Sequence, residues 1–259
     1  MIDIHDREKS PMRSLERALH ILAAMEDAGG SINVAHLANT CQLSRATVLR
    51  VMSVLEKYGY VKKRQKNYRL GAAFLPLVHA YMVEDELTRV TLPVLQELAN
   101  VSEETASLFV RWGFKRLVVQ RIEGRHPLRF IMPIGQALPL PIGSSGKVLA
   151  AALPDEELDR LMDETGEVTL ANGNRLTRET FRADIAHIRK QGYSFSNGER
   201  TVGTFSIAAP VVDSDGITIA AVVVTGASER LTPERMEWLS IEVRAAAKSI
   251  AETYNRTLR

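Results

Sequence analysis

Apolar residues recur every three or four positions in three stretches near the start of the chain. "SLERALHILAAMEDAGG" places Leu15, Ala18, Leu19, Leu22 and Met25 at helical spacing and stops at Gly29-Gly30. "INVAHLANT" predicts a short second helix, with Asn33 as its N-cap and Val34, Leu37 and Ala38 facing inward. "CQL" predicts a tight turn. Ser44 then caps a third helix whose apolar face is Val48, Val51, Met52 and Leu55, with Gly59 at its C-terminal end. Two strand-like pieces, "YVKKR" and "YRL", follow around the polar turn Gln65-Lys66-Asn67.

Helical spacing returns at Phe74, Leu77, Val78, Tyr81 and Met82, with Pro76 tolerable only in a first turn. This segment, residues 72–88, is expected to be a linker helix. Its apolar face packs either on a partner subunit or on its own chain. From about Arg89 helical and alternating patterns interchange. "LPVLQELANVSEE" is helical. "TASLFVRW" and "RLVVQRI" predict strands around Gly113, and "PLRFIMPI" a third. "GKVLAAALPDEELDRLMDE" and "TRETFRADIAHIRKQG" are helical, the latter opening on Thr177. "FSIAAPVVD" and "ITIAAVVVTG" predict a hairpin across "SDG". Thr232 and Pro233 open a last amphipathic helix. Antiparallel hairpins flanked by helices point to an α+β sheet domain rather than a doubly wound one.

Charge sharpens the first part of this picture. Residues 1–75 carry a net +5 and residues 76–259 a net −3, and eight basic residues face one acid within Cys41–Gly71. Such a run is the electrostatic footprint of a polyanion partner. Helix, short helix, turn, helix and basic hairpin is the order of a winged helix-turn-helix, whose third helix enters the major groove. Its first residues, Ser44, Arg45, Ala46, Thr47 and then Arg50, are the candidate readers of base edges. Lys62, Lys63, Arg64 and Lys66 on the hairpin would meet phosphates, as would Arg13. Cys41, the only cysteine, excludes an internal disulfide and falls where a small packed residue is expected. No apolar run is long enough to suggest a membrane span, and the polar start is not a secretory signal, so a cytoplasmic protein without membrane partners is expected.

The most chemical-looking passage is "LPIGSSGKVLAA", Leu140 to Ala151. A phosphate loop would need a glycine where Pro141 stands and a hydroxyl where Val148 follows Lys147. Ser144-x-x-Lys147 has the spacing of an acyl-enzyme pair, but the companion motifs S-D-N and K-T-G are missing. The remaining reading is a helix start capped by Ser144 and Ser145, whose unpaired amides form an end suited to an anion, or to no ligand at all. Lys147 is expected to support structure or project outward. No metal site and no cofactor are expected.

"SLERALHILAAM", "LANTCQLSRATVLRVMSVLEKYGYV" and "YRLG" resemble the N-terminal domain of the IclR family of bacterial transcriptional regulators. "IGQALPLPIGSSGKVLAA", "IRKQGYSFSNGE" and "FSIAAPVVDSDGITIAAVVVTGASERLT" resemble the family's effector domain. The likeness runs from about Arg13 to Tyr254. It implies a non-enzymatic regulator with four parts: a disordered arm over 1–12, a winged helix-turn-helix over 13–71, the linker helix, and a GAF-like effector domain over 89–259. Its implied partners are double-stranded DNA with a palindromic operator, a small carboxylate effector, and a second copy of the chain, since members dimerise and often pair into tetramers. The resemblance puts Phe130, Ser144, Ser145, Ser196, Thr204, Ser206, Val223 and Thr225 on the effector pocket. Ser196 stands where relatives often carry an acid, and Val223 departs from the hydroxyl of some relatives that bind glyoxylate or pyruvate. Together they favour a larger, partly apolar or aromatic acid. Rival readings are a regulator whose sensor domain is vestigial and ligand-free, and an enzyme with an appended winged helix.

Overall fold

The computed structural model describes residues 12–127, 130 and 132–257. The expected arm over 1–12 therefore lies, except for Met12, outside the described residues. The chain divides into two compact units between Glu84 and Asp85.

In the first unit the elements run α1 (Arg13–Asp27), β1 (Ile32–Asn33), α2 (Val34–Thr40), α3 (Arg45–Lys57), β2 (Val61–Arg64), β3 (Asn67–Leu70) and α4 (Phe74–Glu84). Local chemistry fixes most boundaries. Asn33 accepts from the His36 amide at 2.9 Å and Ser44 accepts from the Thr47 amide at 3.1 Å, each satisfying a donor that the first turn leaves orphaned. Cap residues of this kind contribute about 1 kcal/mol each. Gly59 sits at φ +78°, a left-handed position that Gly adopts without strain. The turn between β2 and β3 is tighter than expected, since Asn67 already pairs with Arg64.

Ile21, Met25, Leu37, Val48, Met52, Val61 and Tyr68 make the core of this unit. The inward face of α1 is thus Ile21, Leu22, Ala24 and Met25, and the expected Leu15 and Leu19 are about half exposed. The packing stripe is shorter than the apolar one, since the buried residues of α1, Ile21, Ala24 and Met25, all lie in its C-terminal half. Cys41 packs with this core, and its thiol donates to the His20 carbonyl at 3.7 Å. Burial raises the thiol above its ordinary pKa, the opposite of what a reactive thiolate requires. None of α4 is buried, and Leu75, Leu77, Val78, Tyr81 and Val83 all stand exposed along it.

The second unit opens with α5 (Glu86–Ser102), capped by Asp85, whose carboxylate accepts from the Thr88 amide at 2.8 Å. The expected linker helix over 72–88 is therefore two helices separated at Asp85. The helix expected from Leu92 begins six residues earlier and keeps Pro93 in its interior. There follow β4 (Thr105–Trp112), β5 (Lys115–Ile122), β6 (Ala137–Pro139), α6 (Ser144–Ala151), α7 (Asp155–Thr165), β7 (Val168–Thr169), β8 (Arg175–Leu176), α8 (Arg178–Gln191), β9 (Ser194–Asn197), β10 (Thr204–Val212), β11 (Thr218–Ala227) and α9 (Pro233–Thr257). The strand expected in "PLRFIMPI" falls partly outside the described residues. Its described positions carry no strand, and β5 pairs instead with β6. The single run expected to be helical from Gly146 is interrupted at Pro154, which starts α7.

Six strands form one antiparallel sheet in the order β6-β5-β4-β11-β10-β9. Side chains alternate between its faces. Leu108, Val119, Phe205, Ile207, Val222 and Val224 pack against α5 and α9 on one side. Phe109, Val118, Ala208, Ala221 and Val223 pack with α6, α7 and α8 on the other. Both faces being covered explains the near-continuous apolar run of β11, where alternation would mark a half-exposed strand. The domain is α+β with a helical layer on each side of an antiparallel sheet.

Candidate functional sites

The first site is the exposed start of α3 with the neighbouring hairpin. Ser44, Arg45, Ala46 and Arg50 are exposed, and Thr47 is half-buried with its hydroxyl against Ser44 Oγ at 2.9 Å. Val48 and Met52 hold the opposite face of the helix in the core, so these residues are presented on a rigid support. Lys62, Lys63, Arg64 and Lys66 are all exposed on β2 and the turn. The Lys63 amide donates to Glu56 Oε1 at 3.2 Å, which ties the hairpin to the last turn of α3. Lys63 Nζ lies 5.8 Å from the Tyr68 ring centroid, a cation–π position that holds the ammonium over the strand. Arg13 is exposed at the first turn of α1, on a separate element from the others. Leu49, which sequence reasoning passed over, is exposed one turn beyond Arg45. The signal for it was the apolar excess of α3 over its core stripe.

The second site is a cavity of about 50 Å³ in the other unit, under the start of α6. All eight residues expected from the resemblance line it: Phe130, Ser144, Ser145, Ser196, Thr204, Ser206, Val223 and Thr225. Strand register brings them together. Ser206 pairs with Ser196 on one side and Thr225 on the other, so three hydroxyls from three strands face α6 side by side. Ser144 Oγ donates across to Ser206 Oγ at 2.7 Å, and Thr204 Oγ1 donates to the Thr201 carbonyl at 2.6 Å.

The helix start differs from the one expected. Ser144 and Ser145 are the first residues of α6 rather than its caps; the N-cap is Gly143, at φ +84°. The Gly143 amide donates to Glu199 Oε2 at 2.8 Å. Lys147 is buried, and its ammonium donates to Glu199 Oε1 at 2.6 Å and Asp184 Oδ2 at 2.7 Å. Glu199 thus clamps the first turn of α6 from both ends. The Ser144 hydroxyl and the Lys147 ammonium are engaged with different partners, which is not how a nucleophile and its base would be assembled.

Sequence reasoning missed the charged part of the lining: Arg116, Glu199 and Arg200, with Met132, Gly143 and Thr201 beside them. Arg116 is 3% exposed, on the sheet face that carries Val118. Its Nη1 donates to the Pro139 carbonyl, and its guanidinium carbon lies 5.7 Å from the Phe109 ring centroid. Among the described residues its Nε has no hydrogen-bond partner. Burial, and then the charge of Arg200, push the Arg116 guanidinium down to about 9, while Glu199 opposes the shift. At neutral pH it remains a cation. Gly146 is required above it, since a Cβ there would collide with the Leu140 carbonyl and the Arg116 guanidinium.

Both domains have counterparts among known proteins. Residues 79–252 match the family described as bacterial transcriptional regulator IclR C-terminal, and residues 14–65 match the IclR helix-turn-helix domain. The transcriptional repressor IclR of Escherichia coli K12 is 25% identical over 94% of this chain and 90% of its own. The HTH-type transcriptional repressor AllR of the same organism is 28% identical over 92% and 89%. Among solved structures, an IclR homologue from Microbacterium hydrocarbonoxydans complexed with 4-hydroxybenzoate superposes with a TM-score of 0.75 at 21% identity. That match covers 94% of this chain and 99% of that one. Among the described residues no helix is long and apolar enough to cross a membrane. With matched segments covering most of its length and a helix-turn-helix followed by an α+β domain, the chain belongs to the IclR family of bacterial transcriptional regulators.

Proposed function

We propose that the protein is a repressor that binds a roughly palindromic operator as a dimer and responds to a small organic acid held under α6. In this reading α3 lies in the major groove. Arg45 and Arg50 give bidentate donors to guanine, and Thr47 and the exposed Leu49 meet thymine methyl groups. Lys62, Lys63, Arg64 and Lys66 engage phosphates from the hairpin, and Arg13 does so from α1. The observation that carries this half is the exposed first turn of α3 beside an equally exposed basic hairpin, both anchored on one buried core. The exposed apolar residues of α4 suit a contact with a second subunit. Repression is the activity named for the two Escherichia coli relatives.

The sensing half rests on the cavity that gathers the eight residues with two arginines. A carboxylate there would meet cationic side chains and the first-turn amides of α6. The Microbacterium homologue, solved in complex with the carboxylate 4-hydroxybenzoate, supports an acid ligand for a protein of this fold. An acid that binds the DNA-free conformation better shifts the population away from the operator. The soluble, nucleic-acid-directed role fits the cytoplasm. Fluorescence anisotropy with the DNA upstream of the protein's own coding region tests the reading. Saturable binding that weakens steeply with salt, and that is reversed by an organic acid, is the expected result. Salt-insensitive or absent binding would refute it.

A further inference from the structure

We propose that Arg116 is the anion anchor of the cavity under α6, and that the acid it selects is a hydroxylated monocarboxylate. This inference rests on the reading of the domain as an organic-acid sensor and specifies its ligand. The first ground is the state of Arg116 itself. A guanidinium that is 3% exposed, on a strand position whose neighbour two residues on is core Val118, would ordinarily be paired with a carboxylate. Among the described residues its Nε has no partner, and the guanidinium's hydrogen bond there is to a backbone carbonyl. Glu199, whose charge acts on Arg116, has both oxygens hydrogen-bonded elsewhere, one by Lys147 and one by the Gly143 amide. The arginine therefore faces the cavity without the partner that would compensate its burial. Arg200 lines the same cavity and adds a second positive charge.

The second ground is charge balance among the described residues: Arg116 and Arg200 line the cavity with Glu199, and Glu199 is held by Lys147, itself paired with Asp184, so three cations meet two anions. One positive charge is left over, which a single carboxylate neutralises and two would overshoot. The third ground is the rest of the lining. The six serines and threonines expected from the resemblance, with Thr201 as a seventh hydroxyl, outnumber the apolar Phe130, Met132 and Val223. Beyond its carboxylate, an alkyl acid offers these side chains no donor or acceptor, whereas a hydroxylated acid offers both along its length. The partly apolar or aromatic acid expected from Ser196 and Val223 alone fits this lining less well than a short hydroxy acid.

The test uses the full-length protein and isothermal titration with the sodium salts of glycerate, gluconate, propionate, hexanoate, benzoate and malate. Melting temperature is recorded with each. Glycerate or gluconate should bind at least about tenfold more tightly than the chain-matched propionate or hexanoate, and more tightly than malate or benzoate. Arg116→Met should weaken that binding by about tenfold to a hundredfold, in the range of a lost charge-assisted hydrogen bond. It should leave the melting temperature without acid unchanged or higher, because an uncompensated buried charge is removed. Arg116→Lys should recover part of the affinity, and Arg200→Gln, on a more exposed segment, should weaken it less. Should Arg116→Met fail to fold, the last two variants carry the comparison. Undiminished acid binding in the Arg116 variants would overturn the anchor and leave the sensor reading standing. Tighter binding of hexanoate or benzoate would overturn the hydroxylated class, and tighter binding of malate the single charge. If no acid binds while DNA binding is intact, the sensor reading fails and this proposal falls with it.

Discussion

Replacing Lys147 by methionine tests how the start of α6 is held. The ammonium lies 2.6 Å from Glu199 and 2.7 Å from Asp184, with side-chain exposures of 5% for Lys147, 10% for Glu199 and 47% for Asp184. Removing one partner of a buried ion pair destabilises by about 3–5 kcal/mol, because the remaining charge stays buried without compensation. Here the lower end applies. Asp184 can regain water, and Glu199 keeps the hydrogen bond from the Gly143 amide. A loss of about 3 kcal/mol in a domain of this size lowers the melting temperature by roughly 6–12 °C. The two units need not melt together, so calorimetry should follow the transition of the C-terminal one. The double variant Lys147→Met, Glu199→Gln removes the stranded charge while Gln can still accept from Gly143, and it should recover more than half of the loss. Two results would refute the reasoning: a Lys147→Met protein within about 2 °C of the parent, or a double variant no more stable than the single one.

Four further outcomes are expected. Arg45→Ala or Arg50→Ala should lose about 1–3 kcal/mol of operator affinity and relax preference at one base position, as read by anisotropy against single-base operator variants. Lys63→Ala should weaken specific and non-specific DNA alike and reduce the salt slope by about one for each altered contact; a base-selective effect would move Lys63 off the phosphates. The acid response should be flat between about pH 6 and 8, where a carboxylate is ionised and Arg116 is charged. It should decline as pH rises past about 9, since burial and Arg200 lower the Arg116 guanidinium and only its protonated form attracts an anion. For the acid-free protein the sign is the opposite. The unfolded chain holds that proton to higher pH, so stability contributed by Arg116 grows above about 9, as far as Glu199 and Arg200 keep their own charges. Titrations at pH 7 and pH 10 separate the two effects.

The N-terminal domain was legible because its signals are local. Asn33, Ser44 and Gly59 act on groups within four residues of themselves, and the caps and helix end fall where those residues stand. What could not be read there is non-local. The two-residue strand β1 exists only because β3 returns beside it, and Leu15 and Leu19 have the spacing of core residues yet stay about half exposed. Likewise Ser144 and Ser145 have the composition of caps. The cap falls to Gly143 because Glu199, more than fifty residues away, takes its amide.

Arg116 shows where reading strands by polarity fails. In "KRLVVQRI" two valines stand together because both faces of the sheet are covered, so hydrophobicity no longer tells inside from outside. An arginine in such a strand reads as a solvent-facing residue near the edge. Parity says otherwise: Arg116 and Val118 share a face, and Val118 is in the core. A buried arginine two residues from a core valine is therefore visible in the sequence once both helical layers are known, and only then. The eight residues supplied by family likeness describe the hydroxyl walls of the cavity, which a family can share while its members bind different acids. The charge that faces those walls belongs to Arg116 and Arg200, and it is there, rather than in the walls, that the selectivity of this chain should be sought.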